Sequence, residues 1–174
     1  EINKILTSKN IDVELRTGAE GIEEAFYKEI EAPSPNILHV ATHAFYEPYS
    51  KKKGIVEEDE IKEGFDKLKK ESDDLNRSGL VLAGANHFWK YGNKMNSEME
   101  DGILTANEIA SLELRNTKLV TLSACETAIG NSINSEGVFG IQRGLKMAGA
   151  KSLLLSLWKV NDVVAKEYMV TFYD

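Results

Sequence analysis

Cysteine and proline are scarce in this chain of 174 residues, which holds one cysteine and three prolines. A single cysteine cannot form an internal disulfide, so nothing here indicates an extracellular disulfide scaffold. No apolar run approaches the roughly 20 residues that a membrane-spanning helix requires. The glycine-rich phosphate loop and the Gly-x-Ser-x-Gly elbow of serine hydrolases are both missing. We therefore expect a cytoplasmic globular protein, and its start at Glu1 without a methionine suggests a piece of a longer chain.

Basic residues are in the minority, because 21 lysines and arginines face 28 acids, for a net charge of −7. Much of the excess lies in residues 57–74, which hold nine acids against four lysines. No basic patch is available to neutralise phosphates, so direct nucleic-acid binding is not expected. We interpret residues 47–77 as an acidic insertion around a surface helix. The alternative is an acidic docking face for a basic partner.

Apolar runs and amphipathic stretches alternate along the chain, which predicts one α/β domain over residues 1–174. A strand at 11–15, a helix at 18–30 and a strand at 37–41 predict a right-handed unit with parallel strands. Thr105, followed three residues later by Glu108, matches a capping box that begins a short helix. The further predicted strands are 79–83, 103–104, 118–123 and 152–157, the further helices are 1–8, 106–112, 136–147 and 163–172, and 88–99 is predicted to be irregular.

The lone cysteine, Cys125, comes directly after the apolar run 119–123. A reactive side chain at the carboxyl end of a buried strand lies where open α/β sheets place their ligand crevice. A second apolar run, from residue 37, leads to His43. If the two strands are parallel, both side chains lie at one edge of the sheet and can form a Cys/His dyad, in which the base activates the thiol. The alternative is that Cys125 is a small buried hydrophobic residue, as lone cysteines often are.

Five segments in order carry a resemblance to a known family. They are HVATHA at 39–44, SGLVLAGAN at 78–86, LVTLSACETA at 119–128, SEGV at 135–138 and SLWKVND at 156–162. Together they resemble the CHAT-domain family, whose members are similar to caspases and separases and in bacteria often follow tetratricopeptide repeats. The resemblance implies a three-layer caspase-like fold with a mostly parallel central sheet and helices on both faces. We expect the C-terminal edge of that fold to be incomplete in this piece.

The same resemblance implies a cysteine endopeptidase in which Cys125 is the nucleophile and His43 the base. His39 falls inside the apolar run and is interpreted as a structural, hydrogen-bonded residue. The oxyanion hole would use the backbone amides of Cys125 and Ala44. Relatives usually have glycine where this chain has Ala44, so a positive φ there would cost roughly 1 kcal/mol and the methyl group would crowd a substrate.

Trp158 and Asp162 are predicted to line the substrate pocket, where Asp162 either selects a basic side chain or only caps the last helix. His87 is interpreted as a loop residue. No cofactor and no metal are expected, because the histidines and the cysteine match no common zinc spacing. The expected partners are a peptide or protein substrate and a tetratricopeptide-repeat region of the same protein that regulates it. Two alternatives remain, an inactive CHAT scaffold for protein interactions and a flavodoxin-like binding domain.

Overall fold

The computed structural model describes residues 1–30, 33–46, 74–94, 100–123, 136–156 and 160–174. Short 3-10 helices lie at Gly18–Glu20 and Asp74–Arg77. The α-helices in these ranges are α1 (Ile2–Ser8), α2 (Glu23–Ile30), α3 (Ala85–Tyr91), α4 (Ala106–Ala110), α5 (Glu136–Met147) and α6 (Asp162–Tyr173). The strands are β1 (Ile37–Ala41), β2 (His43–Tyr46), β3 (Ser78–Val81), β4 (Ile103–Thr105), β5 (Leu119–Ser123) and β6 (Ser152–Leu155).

A three-stranded parallel sheet has the order β1-β5-β6. Its register sets Ile37 opposite Leu119 and ends with Ala41 opposite Ser123. Val120 and Thr121 in the central strand β5 are fully buried, as the short apolar run predicts for a strand covered on both faces. The predicted strands at 37–41, 118–123 and 152–157 are confirmed within a residue or two at their ends, except that residue 157 lies outside the described ranges.

Helices cover both faces of this sheet. Val120 and Leu122 of β5 share the main hydrophobic core with Ile141 and Leu145 of α5. Thr121 lies between them in the strand and is hydrogen-bonded to Tyr173 of α6. Adjacent strand residues point to opposite faces, so α5 and α6 lie on opposite sides of the sheet. This α/β arrangement is compatible with the caspase-like fold that was expected.

A second, antiparallel sheet has the order β2-β3-β4. In its register His43 is opposite Val81, and Val81 is opposite Ile103. The predicted capping box at the start of α4 is confirmed, since the Thr105 hydroxyl accepts from the Glu108 amide and the Glu108 carboxylate accepts from the Thr105 amide. Gly149, two residues after the end of α5, has the positive φ of 100° that glycine permits at a helix end.

Several predictions of local structure were wrong. Residues 11–15 form no strand, and Ile11 and Leu15 are 41% and 56% exposed. The segment does alternate apolar and acidic residues, but no strand in the described ranges pairs with it. The predicted strand–helix–strand unit that begins at residue 11 therefore does not form. The stretch from residue 88 was predicted to be irregular, yet Ala85–Tyr91 is helical, with Ala85 and Phe88 buried. The acidic insertion lies outside the described residues from 47 to 73. Within the described ranges, no helix combines the length and apolar character that crossing a bilayer needs.

Candidate active site

The predicted dyad residues follow two neighbouring parallel strands. β1 and β5 pair directly, and Ala41 at the end of β1 is the register partner of Ser123 at the end of β5. His43 comes two residues after Ala41 in the sequence, and Cys125 comes two residues after Ser123. Cys125 lies outside the described residues. The strands that lead to the two residues are therefore adjacent, parallel and in step.

His43 does not continue β1, although the apolar run from residue 37 leads directly to it. β1 ends at Ala41, the chain bends at Thr42, and His43 begins β2 of the antiparallel sheet. Two residues four positions apart on one strand would share a face, but His39 lies in β1 and His43 in β2. The His43 side chain is exposed, which leaves its ring accessible to a substrate.

Ala44 follows in β2 opposite Leu80. It is 7% exposed and belongs to the main hydrophobic core, so its methyl group packs inward. Among the described non-glycine residues only Asn10 has a positive φ, so Ala44 bears no left-handed strain. Both reasons for expecting alanine to be costly at this position are absent.

His39 is a hydrogen-bonded structural residue, as predicted. Its Nδ1 lies 3.1 Å from the Tyr173 hydroxyl, which donates to the Thr121 hydroxyl at 3.0 Å. Burial lowers the pKa of His39, which favours the neutral ring. This chain of bonds joins β1, β5 and the end of α6 on one face of the parallel sheet.

Removing the central hydroxyl of this chain should destabilise the protein. We expect Tyr173→Phe to lower the free energy of unfolding by about 1–3 kcal/mol, because it leaves the fully buried Thr121 hydroxyl and the His39 ring without their partner. Tyr168→Phe removes the same atom from an exposed position on α6 and should change stability by less than about 0.5 kcal/mol. Urea titration of both variants measures the difference, and equal stabilities would show that the buried chain contributes nothing.

Of the two predicted pocket residues, Trp158 lies outside the described residues. Asp162 is the first residue of α6 and is exposed. The cap of α6 is Asn161, whose Oδ1 accepts from the Val163 amide at 2.9 Å. Asn161, and not Asp162, is therefore the cap of α6, so the capping role considered for Asp162 was wrong.

His87 was interpreted as a loop residue, but it lies in α3. Its Nε2 is 3.2 Å from Asn93 Oδ1, and its ring packs against Tyr91 at a centroid distance of 4.8 Å. These contacts explain its position without a catalytic role.

A cluster of acids around Gly102 is a site that sequence reasoning missed. Glu23 of α2 is 2% exposed, and its carboxylate accepts from the Gly102 amide at 3.0 Å. Burial, followed by the nearby carboxylates of Glu108 and Asp101, raises the pKa of Glu23 to about 8, against the opposing hydrogen bonds from Tyr27 and Gly102. An acid in the first turn of a helix is ordinary in a sequence, so no local signal marked it. No set of three or more metal-ligating side chains in the described ranges could hold a metal ion.

The raised pKa of Glu23 predicts a pH-dependent stability. Between its ordinary value of 4.5 and the folded value near 8, the folded chain keeps a proton that the unfolded chain has released. The contribution of Glu23 to the free energy of unfolding therefore falls as the pH rises from 4.5 to about 8. We expect Glu23→Gln, which resembles the protonated acid, to raise the free energy of unfolding by about 2 kcal/mol at pH 8 and by little at pH 4.5.

Urea titration across this pH range tests the expectation. Glu20→Gln is the matched control, because Glu20 is exposed and the same change there should leave the pH profile unaltered. A Glu23→Gln profile parallel to that of the unmodified protein would contradict the shifted pKa.

Comparison with known proteins identifies relatives of the whole chain and of one part of it. A family model described as the CHAT domain matches residues 1–174. A stretch of 76 residues, 44% of the chain, is 30% identical to tetratricopeptide repeat protein 28 of Homo sapiens. The match spans 3% of that much longer protein. No solved structure matches.

Proposed function

Because the chain belongs to the CHAT-domain family, we propose that it is a cysteine endopeptidase of the caspase and separase type, with Cys125 as nucleophile and His43 as base. One observation supports this most directly. The strands that precede the two residues are parallel neighbours, and their last residues, Ala41 and Ser123, are register partners. Two side chains that follow such partners by the same number of residues are well disposed to meet across the sheet edge.

The proposed reaction has two halves. His43 takes the thiol proton, and the Cys125 thiolate attacks the carbonyl carbon of the scissile peptide bond. The tetrahedral intermediate then collapses as the His43 imidazolium protonates the leaving amine, which leaves a thioester on Cys125. A water molecule, deprotonated by His43, hydrolyses the thioester and restores the thiol. We assign the backbone amides of Cys125 and Ala44 to the oxyanion that forms in each half.

Substrate selection is assigned to Trp158 and Asp162. Asp162 is exposed, and Asn161 makes the cap hydrogen bond of α6, so capping does not occupy the Asp162 carboxylate. A free carboxylate in the pocket would favour a basic side chain in the substrate. Trp158 would supply an apolar wall beside it.

We place the domain in a larger regulated protein. The similarity to a stretch of a human tetratricopeptide repeat protein supports a repeat region as its partner. Such a region would control access to the dyad, and we propose that the protein acts in the cytoplasm on peptide or protein substrates.

A peptidyl acyloxymethyl ketone with arginine next to the reactive group tests the proposal. The chain has one cysteine, so every alkylated thiol is Cys125. We expect rapid labelling of the unmodified protein, none of Cys125→Ala, and slow labelling of His43→Gln. Labelling of the unmodified protein no faster than that of glutathione, and equal in His43→Gln, would overturn the proposal and favour the scaffold.

A further inference from the structure

The chain changes sheets at a single residue. Ala41 ends β1 in the parallel sheet, His43 begins β2 in the antiparallel sheet, and only Thr42 lies between them. The direction in which the chain leaves this corner determines where the His43 backbone lies relative to the end of β5. A small rotation about the corner would therefore carry the base away from the edge of the parallel sheet.

The side chain of Thr42 holds the corner. Its hydroxyl, on a half-buried side chain, donates a hydrogen bond to the carbonyl oxygen of Val81. Val81 is the strand residue directly opposite His43 in the antiparallel register. The hydroxyl thus links Thr42 to Val81, the residue that pairs with His43. This link restricts rotation of the backbone at the corner.

The His43 ring itself lacks such support in the described part of the chain. No hydrogen bond or ion pair joins its side chain to another side chain there, in contrast to His39 with its bond to Tyr173. Catalytic bases are commonly oriented by a third group. For His43, it is the backbone rather than the ring that is held in place, by pairing with Val81 and by the bond from Thr42 to Val81.

We propose that Thr42 is the positioning residue of the dyad, which holds His43 at the edge beside β5 through its bond to Val81. This inference rests on the proposed function, in which His43 activates Cys125. Thr42 touches neither substrate nor the reacting atoms and is not a catalytic residue. Loss of its hydroxyl should weaken the contact between base and thiol while leaving both side chains present.

The test is the pH profile of Cys125 alkylation by iodoacetamide, with Thr42→Val as the isosteric variant without a hydroxyl. The lone cysteine makes the reaction specific to one site. In the unmodified protein we expect reaction at pH 6 from a thiolate stabilised by imidazolium. Thr42→Val should move the profile to higher pH and lower the rate at pH 6 by about tenfold, because one pKa unit is tenfold in thiolate. Thr42→Ser, which keeps the donor, should restore the rate to within about twofold.

Controls separate this inference from the proposed function. Thr7→Val makes the same chemical change on α1, where the exposed hydroxyl donates to Asn3 Oδ1, and should leave the profile unchanged. If His43→Gln does not move the profile, the proposed function fails. If His43→Gln moves it and Thr42→Val does not, the dyad stands and the positioning role of Thr42 is overturned. Unfolding curves for each variant distinguish a shifted profile from loss of the fold.

Discussion

Replacing His43 with glutamine is expected to lower kcat/KM for peptide hydrolysis by about 10²–10⁴-fold, the range over which general acid–base catalysis contributes. Glutamine keeps the size and polarity of the side chain, but it can neither take the thiol proton nor return a proton to the leaving amine. The loss should appear mainly in kcat, since the base acts in the chemical step. Hydrolysis of a fluorogenic peptide with arginine before the scissile bond measures both constants.

The fold should survive this substitution, because His43 is exposed and its ring contributes no described hydrogen bond. We expect the free energy of unfolding to change by less than about 0.5 kcal/mol. His87→Gln is the matched control for the chemical change. The His87 ring, on α3, is hydrogen-bonded to Asn93 and packs against Tyr91, so this substitution should leave kcat/KM unaltered. Activity retained in His43→Gln would remove this histidine from the mechanism.

A marked loss of stability is expected for Gly144→Ala in α5. A Cβ atom at this position would lie 2.5 Å from the Ala106 carbonyl oxygen and 3.3 Å from Ile109 Cγ2. The first contact is with the backbone of α4, which cannot move aside as a flexible side chain can. Alanine gains about 1 kcal/mol over glycine in helix propensity. We expect overpacking to exceed this gain and to lower the free energy of unfolding by about 1–3 kcal/mol net.

Urea titration of Gly144→Ala measures this loss. Gly21→Ala is its control, because φ at Gly21 is −79° and the nearest atom to an added Cβ is 3.5 Å away, which is ordinary contact. That variant should remain within about 0.5 kcal/mol of the unmodified protein. A Gly144→Ala protein as stable as the control would show that α4 and α5 can separate at no cost.

Local patterns predicted much of the sheet and helix content. The runs at 37–41 and 118–123 form the strands that were expected, and the spacing of Thr105 and Glu108 produces the capping box. These features depend on residues close together in the chain, such as a hydroxyl three residues before its partner. The prediction of a strand at 11–15 was wrong because alternation describes only the pattern of side chains. A strand also needs a neighbouring strand with which to form hydrogen bonds.

The candidate site depended more on distant contacts. That β1 and β5 are adjacent could be expected from their apolar character and from the family resemblance, and the register of Ala41 with Ser123 bears out that adjacency. The bend at Thr42 could not be expected, because it arises from pairing of His43 with Val81, far along the chain. Glu23 likewise acquires its raised pKa from burial in the folded chain, followed by the nearby carboxylates of Glu108 and Asp101, which come more than seventy positions later in the sequence.

From its order of residues alone, this chain is identifiable as an α/β protein of the CHAT family. Its family and its main strands follow from short patterns, since hydrophobic periodicity and motif spacing are properties of neighbouring residues. Packing decided which residue bonds the His39 ring, where the chain leaves the parallel sheet, and why Ala44 fits without strain. Those outcomes depend on burial and on hydrogen bonds between segments far apart, which exist only once the chain has folded.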